Sequence, residues 1–176
     1  NGIKEALKIY KTQNLQLSSV FNVPMPSNYT PYGCPSEEKQ QSLLTDASKK
    51  IDDIVDTVSR QGSFVDTTNT TIFEAYIHPG IHYRMGYQRI NILDKSFYTD
   101  VNCNGCAICQ KICPVDNITM NEKRPVWNNR CQQCYACLHW CPRESIQAGK
   151  KTVGIKRYHN PFITLKEIII SSGSEL

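Results

Sequence analysis

The sequence predicts an α+β chain in which a short α/β segment precedes a module built around metal. Three observations carry this. Residues 1–62 show helix-like, then strand-like, then helix-like hydrophobic spacing. Eight of the nine cysteines fall between Cys103 and Cys141. Those eight spell C-x2-C-x2-C-x3-C-P twice, the second copy 28 residues after the first.

In the first segment, Ile3, Ala6, Leu7 and Tyr10 recur at helical spacing, and Leu15–Met25 reads as a mostly apolar strand closed by Pro24 and Pro26. Ser36 is placed to cap a second helix, with Glu37 and Glu38 in the first turn, where the helix dipole favours acids. Leu43, Leu44, Ala47, Ile51, Ile54, Val55 and Val58 form one apolar stripe along it, and Gly62 is its expected stop. A single strand cannot make a sheet, so residues 1–62 read as a piece of an α/β layer. Residues 63–93 read as a connector with a short helix around Phe73–Ile77, ended by Pro79 and Gly80. Residues 94–160 carry the cysteines. Between the two runs, Ile118–Met120 and Pro125–Trp127 flank the polar turn Asn121–Arg124, a hairpin pattern. In the tail, 161–176, Thr164 and Glu167 form a capping box ahead of Ile168, Ile169 and Ile170.

Composition excludes several classes. With 40% hydrophobic and 20% charged residues the chain is not a disordered one. No apolar run approaches the roughly 18 residues of a spanning helix, so no membrane association is expected. No basic-then-apolar leader follows Asn1, which makes the cytoplasm the expected compartment. A formal charge of +4 is too mild to argue for nucleic acid. An odd number of cysteines cannot all pair as disulfides, and clustered thiols in a reducing compartment point to metal.

The spacing narrows the metal. A 4Fe–4S cubane needs one thiolate at each iron corner. Three thiolates two residues apart can wrap three corners in one loop, and the small residues Gly105, Ala107 and Ala136 let the backbone approach. In this spacing the fourth cysteine of each run ligates the other cluster. The expected ligand sets are therefore Cys103, Cys106, Cys109 and Cys141 for one cluster, and Cys131, Cys134, Cys137 and Cys113 for the second. Pro114 and Pro142 bias the cysteine before them toward an extended backbone. Structural zinc is the rival, since paired C-x2-C motifs also bind it; it asks for neither the third cysteine nor the C-P step. With every corner filled, neither cluster has a free iron for substrate. The expectation is single-electron relay, with no catalytic residues.

Residues 94–160 hold ten Lys or Arg against five Asp or Glu, a surplus that offsets cluster charge. Lys150, Lys151, Lys156 and Arg157 read as a solvated basic face ahead of a docking face. Cys34 reads as a packed lone thiol, His78, His82 and His159 lack metal spacing, and His139 and Trp140 sit beside candidate ligands. Trp127 and Tyr135 read as shields against water.

Beyond the cysteines, Phe97, Tyr98, Asp100, the stretch CPVDNITMNEKRPVWNNRCQQCYACLHWCPRESIQAGKKT and the "KRYH" of Lys156–His159 resemble the EFR-family ferredoxins. In these, a flavodoxin-like domain is joined to a bacterial-type two-cluster ferredoxin. "VFNVPMPSNYTP" and "PSEEKQQSLLTDASKKIDDI" are similar to the last strand and helix of that flavodoxin-like domain. The resemblance implies electron transfer in anaerobic metabolism, with donor and acceptor proteins as partners. The T-G-N-T phosphate loop that cradles FMN should precede Asn1; Thr67–Thr71 lacks its glycine. FMN binding by this chain alone is therefore not expected, and a flavin-domain chain is an expected possible partner. The alternative reading is a ferredoxin subunit or fragment of a flavin-containing oxidoreductase.

Overall fold

The computed structural model describes residues 2–15, 17–65 and 87–171. The expected helix at Phe73–Ile77, the Thr67–Thr71 stretch, His78 and His82 lie outside them. The chain divides into two compact units: residues 1–26 with 35–87, and residues 27–34 with 88–176.

The first unit contains α1 (Gly2–Thr12), β1 (Ser19–Val20), α2 (Glu37–Ser59) and β2 (Phe64–Val65). The Ser36 hydroxyl accepts from Lys39 N at 3.3 Å and caps α2, as its position before two acids indicates. The helix ends differently from the expectation. Gln61, not glycine, takes the left-handed conformation (φ 53°), and Gly62 N then donates to Thr57 O at 2.8 Å. Only Ser19–Val20 of the expected strand joins a ladder; Pro24 and Pro26 have no N–H to give one. Its partner is Phe64–Val65, within the expected connector, and the pair is parallel. The β1–α2–β2 crossover is thus the connection parallel strands require. Phe21 stacks on Phe64 at 5.2 Å.

The second unit holds β3 (Phe97–Thr99), α3 (Ile108–Lys111), β4 (Ile118–Asn121), β5 (Arg124–Trp127), α4 (Ala136–His139), β6 (Ile146–Ala148) and α5 (Leu165–Ser171). β4 and β5 form a hairpin whose turn residues Glu122 and Lys123 both have positive φ, 46° and 63°. That is the turn hand that matches strand twist. The other antiparallel pair, β3 with β6, joins the two ends of the module rather than neighbours in sequence. Ile112, Ile118, Leu138 and Ile146 are buried at 3% exposure or less. The Thr164–Glu167 capping box forms, with Thr164 N donating to Glu167 Oε2 at 2.7 Å and Glu167 N to Thr164 Oγ1 at 3.3 Å.

The sequence repeat is also a backbone repeat. Left-handed residues occur in pairs 28 apart: Gly105 (φ 72°) with Gln133 (55°), Ala107 (59°) with Tyr135 (58°), and Asp116 (48°) with Glu144 (46°). Side chains that rarely adopt this conformation do so twice, at an individual cost of about 1–2 kcal/mol. Gly105 has a further reason to be glycine. A Cβ there would lie 2.7 Å from Lys123 Cβ and 2.9 Å from Lys123 O, in the hairpin turn. Close hairpin packing, then, is what demands this glycine, since its repeat mate Gln133 takes the same φ with a side chain. Gly105→Ala should therefore destabilise the metal-loaded protein by about 1–3 kcal/mol, whereas Gln133→Ala, which meets no clash and loses only its Nε2 hydrogen bond to Cys131 Sγ, should cost about 0.5–1.5 kcal/mol; urea unfolding of the two variants checks this.

Candidate metal centre

Each short helix carries the third cysteine of its run and follows a loop that carries the first two, and the left-handed residues turn that loop around a hollow. Cys103, Cys106 and Cys109 line the first hollow together with Cys141 of the other run. Cys131, Cys134 and Cys137 line the second together with Cys113. Counting their open mouths, the hollows contain about 300 and 330 Å³ of atom-free space. Gly105 and Ala107 border the first, with Met120, Pro125 and Ile146; Ala136 borders the second. Among the described residues, no three His, Cys, Asp or Glu side chains gather closely enough to hold a single metal ion.

The thiols differ in access. Cys109, Cys113, Cys131 and Cys137 are buried, Cys103 and Cys141 half-buried, and Cys106 and Cys134 exposed. Burial pushes the Cys109 thiol up to about 12; Gln110 N–H opposes the rise, and the thiols of Cys106, Cys141 and Cys103 add to it. Burial likewise raises Cys131, against Gln133 N–H and with help from Asp94, Cys134 and Cys113. Cys137 rises well above the ordinary thiol range through burial and then Cys134. Trp127 alone pulls it down. Thiols crowded in this way resist ionisation on their own, and a bound cation removes the resistance while releasing protons.

Donors face the sulfurs. Asn117 N donates to Cys113 Sγ at 3.3 Å, and Gln133 gives its backbone N–H (3.3 Å) and Nε2 (3.4 Å) to Cys131 Sγ. Ser145 Oγ lies 3.3 Å from Cys141 Sγ. Trp127 Nε1 is buried at the second hollow, faces the Cys137 thiol and makes no hydrogen bond of ordinary geometry in the protein. An orphaned N–H beside four thiols suits a sulfur-rich anionic group. Phe97 meets Trp127 edge-on at 5.7 Å and lies 5.8 Å from Tyr135, so aromatic rings wall this hollow.

Two residues have roles that sequence reasoning missed. His139 is buried, at 4% exposure, and its ring is fully used. Nε2 donates to Asn28 O at 2.7 Å and reaches Thr30 Oγ1 at 3.2 Å, while Nδ1 accepts from Tyr158 N at 3.1 Å. Burial holds its pKa below the ordinary histidine range. It ties the 27–34 strap, more than 100 residues away, and the Tyr158 segment to α4, contacts that no local pattern reveals. His159 donates to His139 O and lies against the Trp140 ring at 4.3 Å. Arg157 does not belong to the expected solvated face. It is 8% exposed, and its Nη2 donates to Ile146 O at 2.9 Å, behind the wall of the first hollow. Cys34 is half-buried in the strap and lines neither hollow.

His139→Ala would leave Asn28 O, Thr30 Oγ1 and Tyr158 N without their ring partner. The expected cost is about 2–4 kcal/mol. Limited proteolysis of the loaded protein should then cut within residues 27–34 faster than in the parent chain.

Comparison with known proteins agrees with the module and is silent on the remainder. No curated protein and no solved structure matches the chain. Among the described residues, no helix is long and apolar enough to cross a membrane. Residues 95–153 match the model of the 4Fe-4S dicluster domain, which supports a ferredoxin-type iron–sulfur module in this part of the chain.

Proposed function

We propose that this chain relays single electrons through two 4Fe–4S clusters, one in each hollow. The observation that carries the reading is the crossover: each hollow is walled by three thiols of one run and the fourth of the other. Cys103, Cys106, Cys109 and Cys141 hold one cluster, and Cys131, Cys134, Cys137 and Cys113 hold the second. Bound there, each cluster supplies reversible one-electron chemistry at a potential set by its surroundings. The chain's own residues do the rest. Buried thiolates fix the position, Ile118, Ile146 and the aromatic wall keep water out, and the exposed Cys106 and Cys134 bring each hollow to the surface where partners exchange electrons.

Paired substitutions separate crossover from self-contained runs. Protein reconstituted anaerobically should carry about eight irons and eight sulfides. Cys113→Ser with Cys131→Ser empties one hollow and should leave about four irons. Cys103→Ser with Cys113→Ser strikes both and should leave almost none. If this second pair retains about four irons, each run serves its own cluster and the crossover is wrong. Because the module has few fully buried side chains of its own, chelating the iron should also abolish its near-ultraviolet circular dichroism; native tertiary signal in the apo-protein would show that the clusters do not hold the fold.

A second reading places the module in a flavin-containing oxidoreductase whose FMN-binding part is on another chain. Two observations favour it: the parallel β1–α2–β2 crossover, and the α2 stripe, where Ile51, Val55 and Val58 are 48%, 58% and 58% exposed. A complete α/β layer would cover those side chains. Flavin that co-purifies with this chain and a second polypeptide would support this reading, and its absence from native complexes would end it.

A further inference from the structure

We propose that the Trp127 indole N–H is a hydrogen-bond donor to the cluster of the second hollow and raises its reduction potential, while the first hollow has no aromatic donor. The inference rests on the two-cluster reading and concerns one residue's action on one site.

The placement follows from the hairpin. Trp127 ends β5 opposite Ile118, the buried first residue of β4, and both line the second hollow. The edge-on contact with Phe97 fixes the ring. Its Nε1 is shut off from solvent and makes no hydrogen bond of ordinary geometry in the protein; the group it faces is the Cys137 thiol. A buried N–H without a partner costs about 1–3 kcal/mol, so the fold keeps it where an acceptor will stand. The sulfurs that share its hollow are those of Cys113, Cys131, Cys134 and Cys137.

The repeat gives the asymmetry. Twenty-eight residues before Trp127 stands Thr99, on β3, which does not line the first hollow. There the side-chain donor is Ser145, at Cys141. A donor to sulfur favours the more negative, reduced state and raises the potential. Two buried charges lie nearby. Asp94 acts on Cys131 and Arg157 on Cys141. The inference therefore concerns the change on removing the N–H, not the order of the two potentials.

Trp127→Phe keeps the ring and deletes the donor. In the anaerobically loaded full chain, a redox titration followed by electron paramagnetic resonance should show one couple shifted to lower potential and the other unmoved. One hydrogen bond to a charged acceptor corresponds to about a tenfold change in the reduction equilibrium, or about 59 mV for one electron. A companion measurement needs no change at this position. In Trp140→Phe protein labelled with 15N-indole tryptophan, pulsed resonance of the reduced protein should detect nitrogen coupled to one cluster. If Trp127→Phe loads fully yet moves neither couple, or the labelled protein shows no coupling, the proposal is overturned. The two-cluster reading stands or falls separately, on the iron count.

Discussion

Four thiols drawn from both cysteine runs around each hollow are the arrangement on which the second unit depends. Burial raises the thiols of Cys109, Cys131 and Cys137, with Cys109 and Cys137 in the first turn of each short helix. In the proposed loaded state a cluster in each hollow would cross-link the two runs that line it. The apolar core it supplements is small: Ile112, Ile118, Leu138 and Ile146 are the large side chains at its centre. A unit of this size gains from any link that joins its two halves.

Most of that centre was legible in the sequence because ligand spacing is local. Three cysteines two residues apart specify a loop, and the repeat specifies that there are two. The hairpin was legible for the same reason: alternating apolar positions around a polar turn. What stayed hidden was set by distant contacts. Gly105 looked like a residue that admits the cluster, yet the atoms closest to it belong to Lys123. Arg157 looked like surface charge, yet it is folded under β6. His139 lay in a gap between ligands, and nothing near it in sequence announces Asn28, Thr30 or Tyr158 as partners.

The strap illustrates how domain boundaries escape a sequence reading. Residues 27–34 look continuous with what precedes them, since prolines and polar residues run through 24–35 without a break. They belong with the second unit because Tyr29 meets Tyr135 edge-on at 5.1 Å, Asn28 Nδ2 donates to Cys134 O at 3.1 Å, and His139 takes both neighbouring acceptors. In the first unit the reading of helix, strand, helix was correct in order. It missed β2, because two residues of strand leave almost no periodic signal.

Duplication explains why the two hollows share a backbone and why they need not share a function. The left-handed positions, the one-turn helices and the C-P steps must recur, since each sets where a thiol stands. The wall residues carry no such obligation. Ser145 stands 28 residues after Asn117, and the two touch sulfur through different atoms, a hydroxyl in one hollow and a backbone N–H in the other. Trp127 and the aromatic ring system have no counterpart at the first hollow, where Met120 and Pro125 stand instead. Geometry that holds a metal is therefore copied, and groups that set its electrostatics are free to diverge. Two hollows built on one template become inequivalent through their walls, and in the proposed two-cluster relay that inequivalence would set the direction of electron flow.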